Sequence, residues 1–404
     1  MAGRAEKAET RRAIRRERRR QIKAETPSGG GTGRGLGRFV EGYDFVLIAL
    51  ILLLSLFGVA MVFSAGYYQT INSADPDPAY YLVRQLIWVA SGFFLLFVTS
   101  HIDYHWYMKF FYLIAVISAL MLVAVMLVGV TVNNAQRWIQ LGPIRITPSE
   151  FSKAAMIIFT SCFFVKDPDN IRTFKGLFII IGVMTIHFLL IVRQPNLSTA
   201  IVIAAIMGAI MLVAGLHPIF ILLAGAAGVG GYFYIMKYAT STHWYNRLTS
   251  FVDPFADRQG EGYQVTQGLI ALGNGGLKGL GFGRSVAKNL YLPEPQNDFI
   301  LAVIGEELGY IGFVVLMLIY MILLLRLVMT ALRAKDRLGF YLATGAAVML
   351  GLQVIINVAV VTSSMPATGI TLPFISYGGA SIWSFMIVMG IVLNVSRKRS
   401  ETRS

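Results

Sequence analysis

Runs of about 18 or more apolar residues recur along this chain, and nothing else in it restricts the fold so strongly. A bilayer offers backbone N–H and C=O groups no water, so each run must satisfy its hydrogen bonds internally as a helix. Membrane barrels would instead show alternating segments of about ten residues, which are absent. The chain therefore reads as all-α, a polytopic membrane protein. Ten spans are predicted, near 44–64, 81–99, 107–130, 148–165, 175–192, 197–215, 217–236, 299–325, 339–362 and 375–395. Composition agrees: 56% of the 404 residues are hydrophobic and 14% charged, where a soluble domain carries about 25% charged residues. The single cysteine, Cys162, excludes an internal disulfide and a cysteine-based metal site.

Charge placement orients the spans. Residues 1–42 form a basic tail and Gly-rich linker, 43–397 the membrane domain and 398–404 a short C-terminal tail. The first tail carries much of the net charge of +14. Its plain reading is attraction to anionic lipid on the cytoplasmic face rather than to nucleic acid. Loops 166–176 and 326–338 are rich in Lys and Arg, whereas 65–80 has aspartates only and 362–374 no charge. With ten spans this places both termini inside. Residues 237–298 then form one large extracytoplasmic loop, in which 262–272 reads as a short helix.

Four segments rich in polar or helix-breaking residues converge on the outer face. The first, 131–147, brings Arg137 and Trp138 and leads into Thr147-Pro-Ser-Glu150, a capping box that by itself accounts for Glu150. Lys153 lies on the same helical face and can pair with Glu150; the pair is either structural or, if it borders a cavity, part of a binding site. The second is Arg-Gln-Pro-Asn-Leu-Ser-Thr (193–199), where Asn196 is a good N-cap. The third, 366–381, interrupts an apolar stretch with two prolines and three glycines and holds Ser376 and Tyr377. Broken backbone at that depth must be protein-buried or line a cavity. The fourth is Tyr-Leu-Pro-Glu-Pro-Gln-Asn-Asp-Phe-Ile (291–300), which contains Glu294 and places Asp298 at the mouth of a span. An aspartate there is either a functional carboxylate or, with Asn297, the cap of the helix. The adjacent Glu306 and Glu307 point to different helix faces, with hydrogen-bonded structural and catalytic roles both open. The glycine-rich 273–283 stretch lacks the setting of a nucleotide-binding loop. His101, Asp103 and His105 read as a solvated juxtamembrane turn rather than a metal site.

Taken together these segments resemble the SEDS family (shape, elongation, division and sporulation) of peptidoglycan glycosyltransferases, from about residue 43 to 397. The resemblance rests on Asn-Ala-Gln-Arg-Trp-Ile with Pro-Ser-Glu-Phe-Ser-Lys, Gln-Pro-Asn-Leu-Ser-Thr, Pro-Glu-Pro-Gln-Asn-Asp-Phe-Ile with Gly-Glu-Glu-Leu-Gly, and Leu-Pro-Phe-Ile-Ser-Tyr-Gly-Gly. It is closer to the division members than to the elongation members. The resemblance implies that Asp298 is the catalytic residue and that Arg137, Trp138, Glu150 and Lys153 line a central cavity. Asn196 stands where the family commonly has aspartate, so only hydrogen bonding or capping is open to it.

The implied reaction joins lipid II units at the outer leaflet. A GlcNAc 4-hydroxyl attacks C1 of the donor MurNAc and expels undecaprenyl diphosphate, with one inversion giving a β-1,4 bond. Asp298 would act as general base, its pKa raised by partial desolvation. Arg137, Lys153, Arg258 and Lys288 are the expected cations for the diphosphate. Asn196, Glu294, Ser376 and Tyr377 complete the expected substrate-binding set. A divalent cation (Mg or Mn) carried by the diphosphate is expected without assigned protein ligands. The resemblance also implies a class B penicillin-binding protein and other divisome membrane proteins as partners, and the bacterial cytoplasmic membrane at the division septum as location. A lipid II flippase and a non-catalytic scaffold are the alternatives.

Overall fold

The computed structural model describes residues 43–72, 76–132, 135–142, 144–220, 262–289 and 291–400, with isolated positions between 222 and 255. Its helices are α1 (Phe45–Ile71), α2 (Tyr80–His101), α3 (Tyr107–Val128), α4 (Pro148–Lys166), α5 (Phe174–Val192), α6 (Leu197–Ala214), α7 (Tyr263–Gly275), α8 (Ile300–Leu332), α9 (Arg337–Val361) and α10 (Gly379–Ser400). Eight of these are long and apolar enough to cross a membrane. Most of the expected seventh span, 217–236, lies outside the described residues, as does most of the first part of the large loop, 237–261. The short helix expected at 262–272 is α7.

Polarity decides which helices sit inside. Helix α4 carries Ser149, Ser152, Lys153, Thr160 and Ser161, all buried, and packs against α3, α6, α9 and α10. Helix α10 buries Ser381, Ser384, Asn394 and Ser396 and packs chiefly on α2. Lipid cannot satisfy these hydroxyls and amides, so they turn inward, and several bond between helices. Ser384 Oγ donates to the Glu150 carbonyl at 2.7 Å, and Trp383 Nε1 donates to Ser91 Oγ at 2.8 Å. Asn394 Nδ2 donates to the Ser100 carbonyl at 2.7 Å. Large apolar residues such as Phe94, Leu127 and Phe178 remain exposed on the outside of the bundle, as a lipid-facing surface requires.

At one end of the bundle, His105 lies between Asp103 at 2.8 Å and Asp336 at 2.6 Å, tying the α2–α3 turn to the start of α9. This turn is therefore a bonded junction. Among the described residues no three His, Cys, Asp or Glu side chains gather as a metal-ligand set.

At the opposite end, β1 (Val130–Val132), β2 (Ala135–Leu141) and β3 (Ile144–Ile146) form a three-stranded antiparallel sheet. Gln140 is opposite Arg145 and Ile139 opposite Ile146. The second special feature is in α8, where Gly309 takes φ 67° and ψ −171° and breaks the helix. The loop after α7 fills the break. Leu280 N and Gly281 N donate to the Glu306 and Glu307 carbonyls at 3.0 and 2.9 Å, and Tyr310 N and Ile311 N donate to the Gly276 and Leu277 carbonyls at 2.9 and 3.2 Å.

So close an approach leaves no room for a side chain at Gly279, where an added Cβ would collide with the Glu307 carbonyl and meet the Gly309 nitrogen at 2.6 Å. Gly283 has nearly the same φ (77° against 78°) but open space around it. Gly279→Ala is expected to lower the thermal midpoint in detergent by about 5–10 °C, as a loss of roughly 2–3 kcal/mol would. Gly283→Ala bears the backbone penalty alone and is expected to lower it by less than about half as much. Differential scanning fluorimetry of the two variants measures that difference.

Candidate functional site

Helices α2, α4, α6, α8 and α10 all start at one end of the bundle, and residues at or next to the start of each line a single cavity of about 1350 Å³. Their N-terminal N–H groups place the positive ends of the helix dipoles around it, a setting that favours an anion. The sheet closes one side and the 291–298 loop another.

Asp298 lies on this wall, half-buried. Its carbonyl accepts Asn357 Nδ2 at 2.8 Å, and the same amide nitrogen donates to the Ile370 carbonyl at 2.8 Å. Asn357, buried on α9, thus joins the Asp298 segment to the broken 366–378 stretch. A methyl group at Gly369 would come within 3.9 Å of Asp298 Oδ2, so the carboxylate stands beside that backbone. The N-cap of α8 is Phe299 and no side chain caps it. Asp298 and Asn297 therefore do not serve as its cap; Asn297 Nδ2 instead donates to Glu294 Oε2 at 2.7 Å. Glu294 itself lines the cavity and sits at φ 45°, a left-handed conformation.

The capping box expected at α4 is not formed. Thr147 is the N-cap and Pro148 follows, but Thr147 makes no side-chain bond to the helix. Glu150 turns to the cavity and pairs with Lys153 at 2.7 Å. Lys153 is buried behind it, 5.9 Å from the Phe385 ring centroid. Burial of an ammonium requires such a partner, and its charge is neutralised locally.

Arg137 and Trp138 reach the cavity from β2. Arg137 Nε donates to the Gln194 carbonyl at 3.1 Å and Nη2 to the Pro195 carbonyl, so its guanidinium fastens the sheet to the turn before α6. Asn196 lines the cavity and caps α6, its Oδ1 accepting Thr199 N at 3.3 Å. Tyr377 also lines it, edge-on to Tyr81 with ring centroids 5.0 Å apart. Burial pushes the Tyr377 phenol above its ordinary pKa of 10.0, opposed by the neighbouring Arg84 guanidinium, so the hydroxyl stays protonated at neutral pH.

Besides Lys153, which was expected on the wall and is buried behind it, three sequence expectations fall elsewhere. Lys288 is not on the cavity wall: it is buried, 2.8 Å from Glu307. Ser376 is buried in the turn before α10, where its Oγ accepts Leu372 N at 2.7 Å. Arg258 lies outside the described residues.

Two cavity arginines were not singled out from the sequence. Arg84 projects from the first turns of α2, with its guanidinium 4.3 Å from the Tyr80 ring centroid, and Arg145 is exposed on β3. A signal existed for Arg84, since a lone arginine at the outer end of a span runs against the positive-inside bias. Arg145 became legible only with the hairpin. Gln296 was also missed: its Nε2 donates to Gln69 Oε1 at 2.9 Å and Tyr81 OH at 3.0 Å, joining the catalytic-loop candidate to α1 and α2.

Comparison with known proteins gives one consistent answer. A family model described as "cell cycle protein", covering FtsW, RodA and SpoVE, matches residues 44–401. The stage V sporulation protein E of Bacillus subtilis is 38% identical over 88% of this chain and 97% of its own length. A protein of a Geobacter species named as a probable peptidoglycan glycosyltransferase FtsW is 35% identical over 89% of this chain and 98% of its own. Among solved structures, a chain of a peptidoglycan synthase complex that coordinates polymerization and crosslinking superposes with TM-score 0.72 at 26% identity, covering 89% of this chain and 99% of that one. The Thermus thermophilus rod shape determining protein RodA does so with TM-score 0.65, also at 26% identity and with the same coverage. The chain is a multi-pass membrane protein that belongs to the FtsW/RodA/SpoVE family of cell cycle proteins.

Proposed function

We propose that this protein is an inverting peptidoglycan glycosyltransferase that polymerises lipid II at the outer leaflet. The observation that carries the reading is the placement of Asp298 on the wall of an outer-face cavity ringed by helix N-termini and arginines. Relatives that match it over nearly their whole length bear the name peptidoglycan glycosyltransferase, which supports the same activity here.

The chemistry follows from the groups in place. Asp298 takes the proton of the acceptor GlcNAc 4-hydroxyl as its oxygen bonds to C1 of the donor MurNAc. The C1–O bond to the diphosphate breaks on the opposite side, and the electron pair leaves with undecaprenyl diphosphate. One displacement inverts the α-linked carbon to β, so no enzyme nucleophile is required. Negative charge grows on the diphosphate. Arg84 and Arg145, which both line the cavity, are assigned to it together with the helix N-termini. Lys153 and Lys288 are each already paired with a glutamate. Arg137 contributes by holding two walls together. Glu294, Asn196, Trp138 and Tyr377 remain the polar and aromatic surface for the sugars.

A divalent ion, Mg or Mn, is assigned to the diphosphate rather than to a protein cage, because no ligand set is formed among the described residues. When bound it would neutralise diphosphate charge, with Asp298 or Glu294 the nearest loop carboxylates able to touch it. A class B penicillin-binding protein is the proposed partner, and the division septum the proposed place of action. The basic tail is assigned to anionic lipid on the cytoplasmic face, where both termini are placed.

Purified protein incubated with lipid II, its cognate transpeptidase and a divalent cation is expected to make glycan strands, while Asp298→Asn loses about 10²–10⁴-fold in rate yet still binds lipid II. Strand formation by Asp298→Asn at the wild-type rate, or none by folded wild type under any condition, would overturn the reading. Arg84→Gln and Arg145→Gln are each expected to lower the rate about 10–100-fold. Lys153→Met should instead act first on the folded fraction, because it leaves Glu150 without its partner. Gel-resolved time courses beside size-exclusion profiles separate these outcomes.

A further inference from the structure

The half of α8 that follows Asp298 is too short to hold its own position. Only residues 300–308 precede the break at Gly309, about 13 Å of helix. Its first residues are packed from one side by α7, where Gly268 lies so near Phe299 that an added Cβ would be 2.9 Å from the ring. Its last residues, Glu306 and Glu307, are wholly buried. The break removes the helical donors that would otherwise take their carbonyls, and Leu280 N and Gly281 N replace them.

Both side chains then bind the same loop. Glu306 Oε2 accepts Ser285 Oγ and also Ala287 N at 3.1 Å, while its Oε1 accepts Asn274 Nδ2 at 3.4 Å. Glu307 Oε1 accepts Lys288 Nζ at 2.8 Å and Ser64 Oγ at 2.6 Å. Lys288 Nζ closes the triangle by donating to Ser64 Oγ at 2.9 Å. Ser64 belongs to α1, so the triangle pins loop, half-helix and first span at one point.

A well-packed apolar trio could give this point equal or greater stability, since desolvating an ion pair offsets much of its attraction. Charge and hydrogen bonds add direction instead. They fix the rotation and height of the half-helix, and a sub-ångström displacement at Glu307 is carried to its other end along a rigid rod. That other end is Asp298. Neither glutamate nor Lys288 lies on the cavity wall, so none of them touches the reacting atoms.

We propose that Glu306, Glu307 and Lys288 are positioning residues for glycosyl transfer, holding the outer half of α8 so that Asp298 meets the acceptor hydroxyl; this rests on the glycosyltransferase reading of Asp298. The triangle is the lock at one end of the half-helix, and Asn357, bonded to the Asp298 carbonyl, is the guide at the other.

The test uses full-length protein in nanodiscs and the double variant Lys288→Met/Glu307→Gln, which removes both charges together and leaves no unpaired ion. Hydrogen exchange over 296–302 is expected to rise about 10-fold or more, with exchange in α4 and α10 unchanged. In polymerisation assays kcat is expected to fall about 100-fold while KM for lipid II moves less than about 3-fold. Asp298→Asn/Lys288→Met/Glu307→Gln should be no slower than Asp298→Asn alone, because the lock acts only through Asp298. Wild-type exchange over 296–302, or an unaltered kcat, would overturn the proposal. So would a loss spread evenly over kcat, KM and global exchange, which is the signature of a merely structural pair. Should the double variant fail to fold, Glu306→Gln, which keeps the ion pair, carries the same exchange and kcat comparison. Full activity of Asp298→Asn would instead refute the reading of the site, and the exchange measurement would still report on the lock.

Discussion

A transmembrane helix that opens its backbone must find hydrogen bonds within the protein, and the rest of this structure is arranged around that demand at Gly309. Lipid cannot satisfy the Glu306 and Glu307 carbonyls or the Tyr310 and Ile311 N–H groups. The loop at 276–281 supplies the partners for all four. That insertion requires glycine at 279, because the two backbones touch. It also sets the outer half of α8 apart as a separate short element, and it brings Lys288 into the interior, where Glu307 neutralises it. Interior packing, loop course and placement of Asp298 thus share one cause.

The cavity follows from a second constraint, the parity of the bundle. Alternate spans run inward, so their N-termini gather at one face, and helix dipoles there add with the same sign. Against that positive background a carboxylate such as Asp298 is stabilised in place, and a leaving diphosphate finds charge already oriented toward it. Glu150 and Lys153 illustrate how tightly local charge is balanced: the lysine is buried only because the glutamate accompanies it. Among the described cations that line the cavity, Arg84 and Arg145 are the two assigned to the substrate.

Much of this was legible in the chain. Apolar runs placed the starts of the described long helices to within four residues, while α1 and α8 each run seven residues past the expected end, and the four polar segments marked the cavity's walls. Asp298, Glu150, Asn196 and Tyr377 stand on that cavity as their positions in those segments implied. Other features depended on contacts between remote segments. The sheet at 130–146 consists of strands too short to show a period, and its register rests on pairing such as Gln140 with Arg145. The capping box expected at Thr147 is not formed, because Glu150 pairs instead with Lys153 one turn on. Lys288 was expected among the cations for the diphosphate. Only the break in α8, invisible without knowing that 276–281 returns to residue 309, explains why it is buried.

The central claim is that Asp298 acts as a base in a single displacement, with no covalent sugar intermediate. Its most direct test is intact-mass analysis of the protein during turnover of a fluorinated lipid II donor, combined with the anomeric configuration of the first bond formed. Single displacement leaves the protein's mass unaltered and gives a β linkage from the α-linked donor. A sugar adduct on Asp298, or an α-linked product, would contradict it.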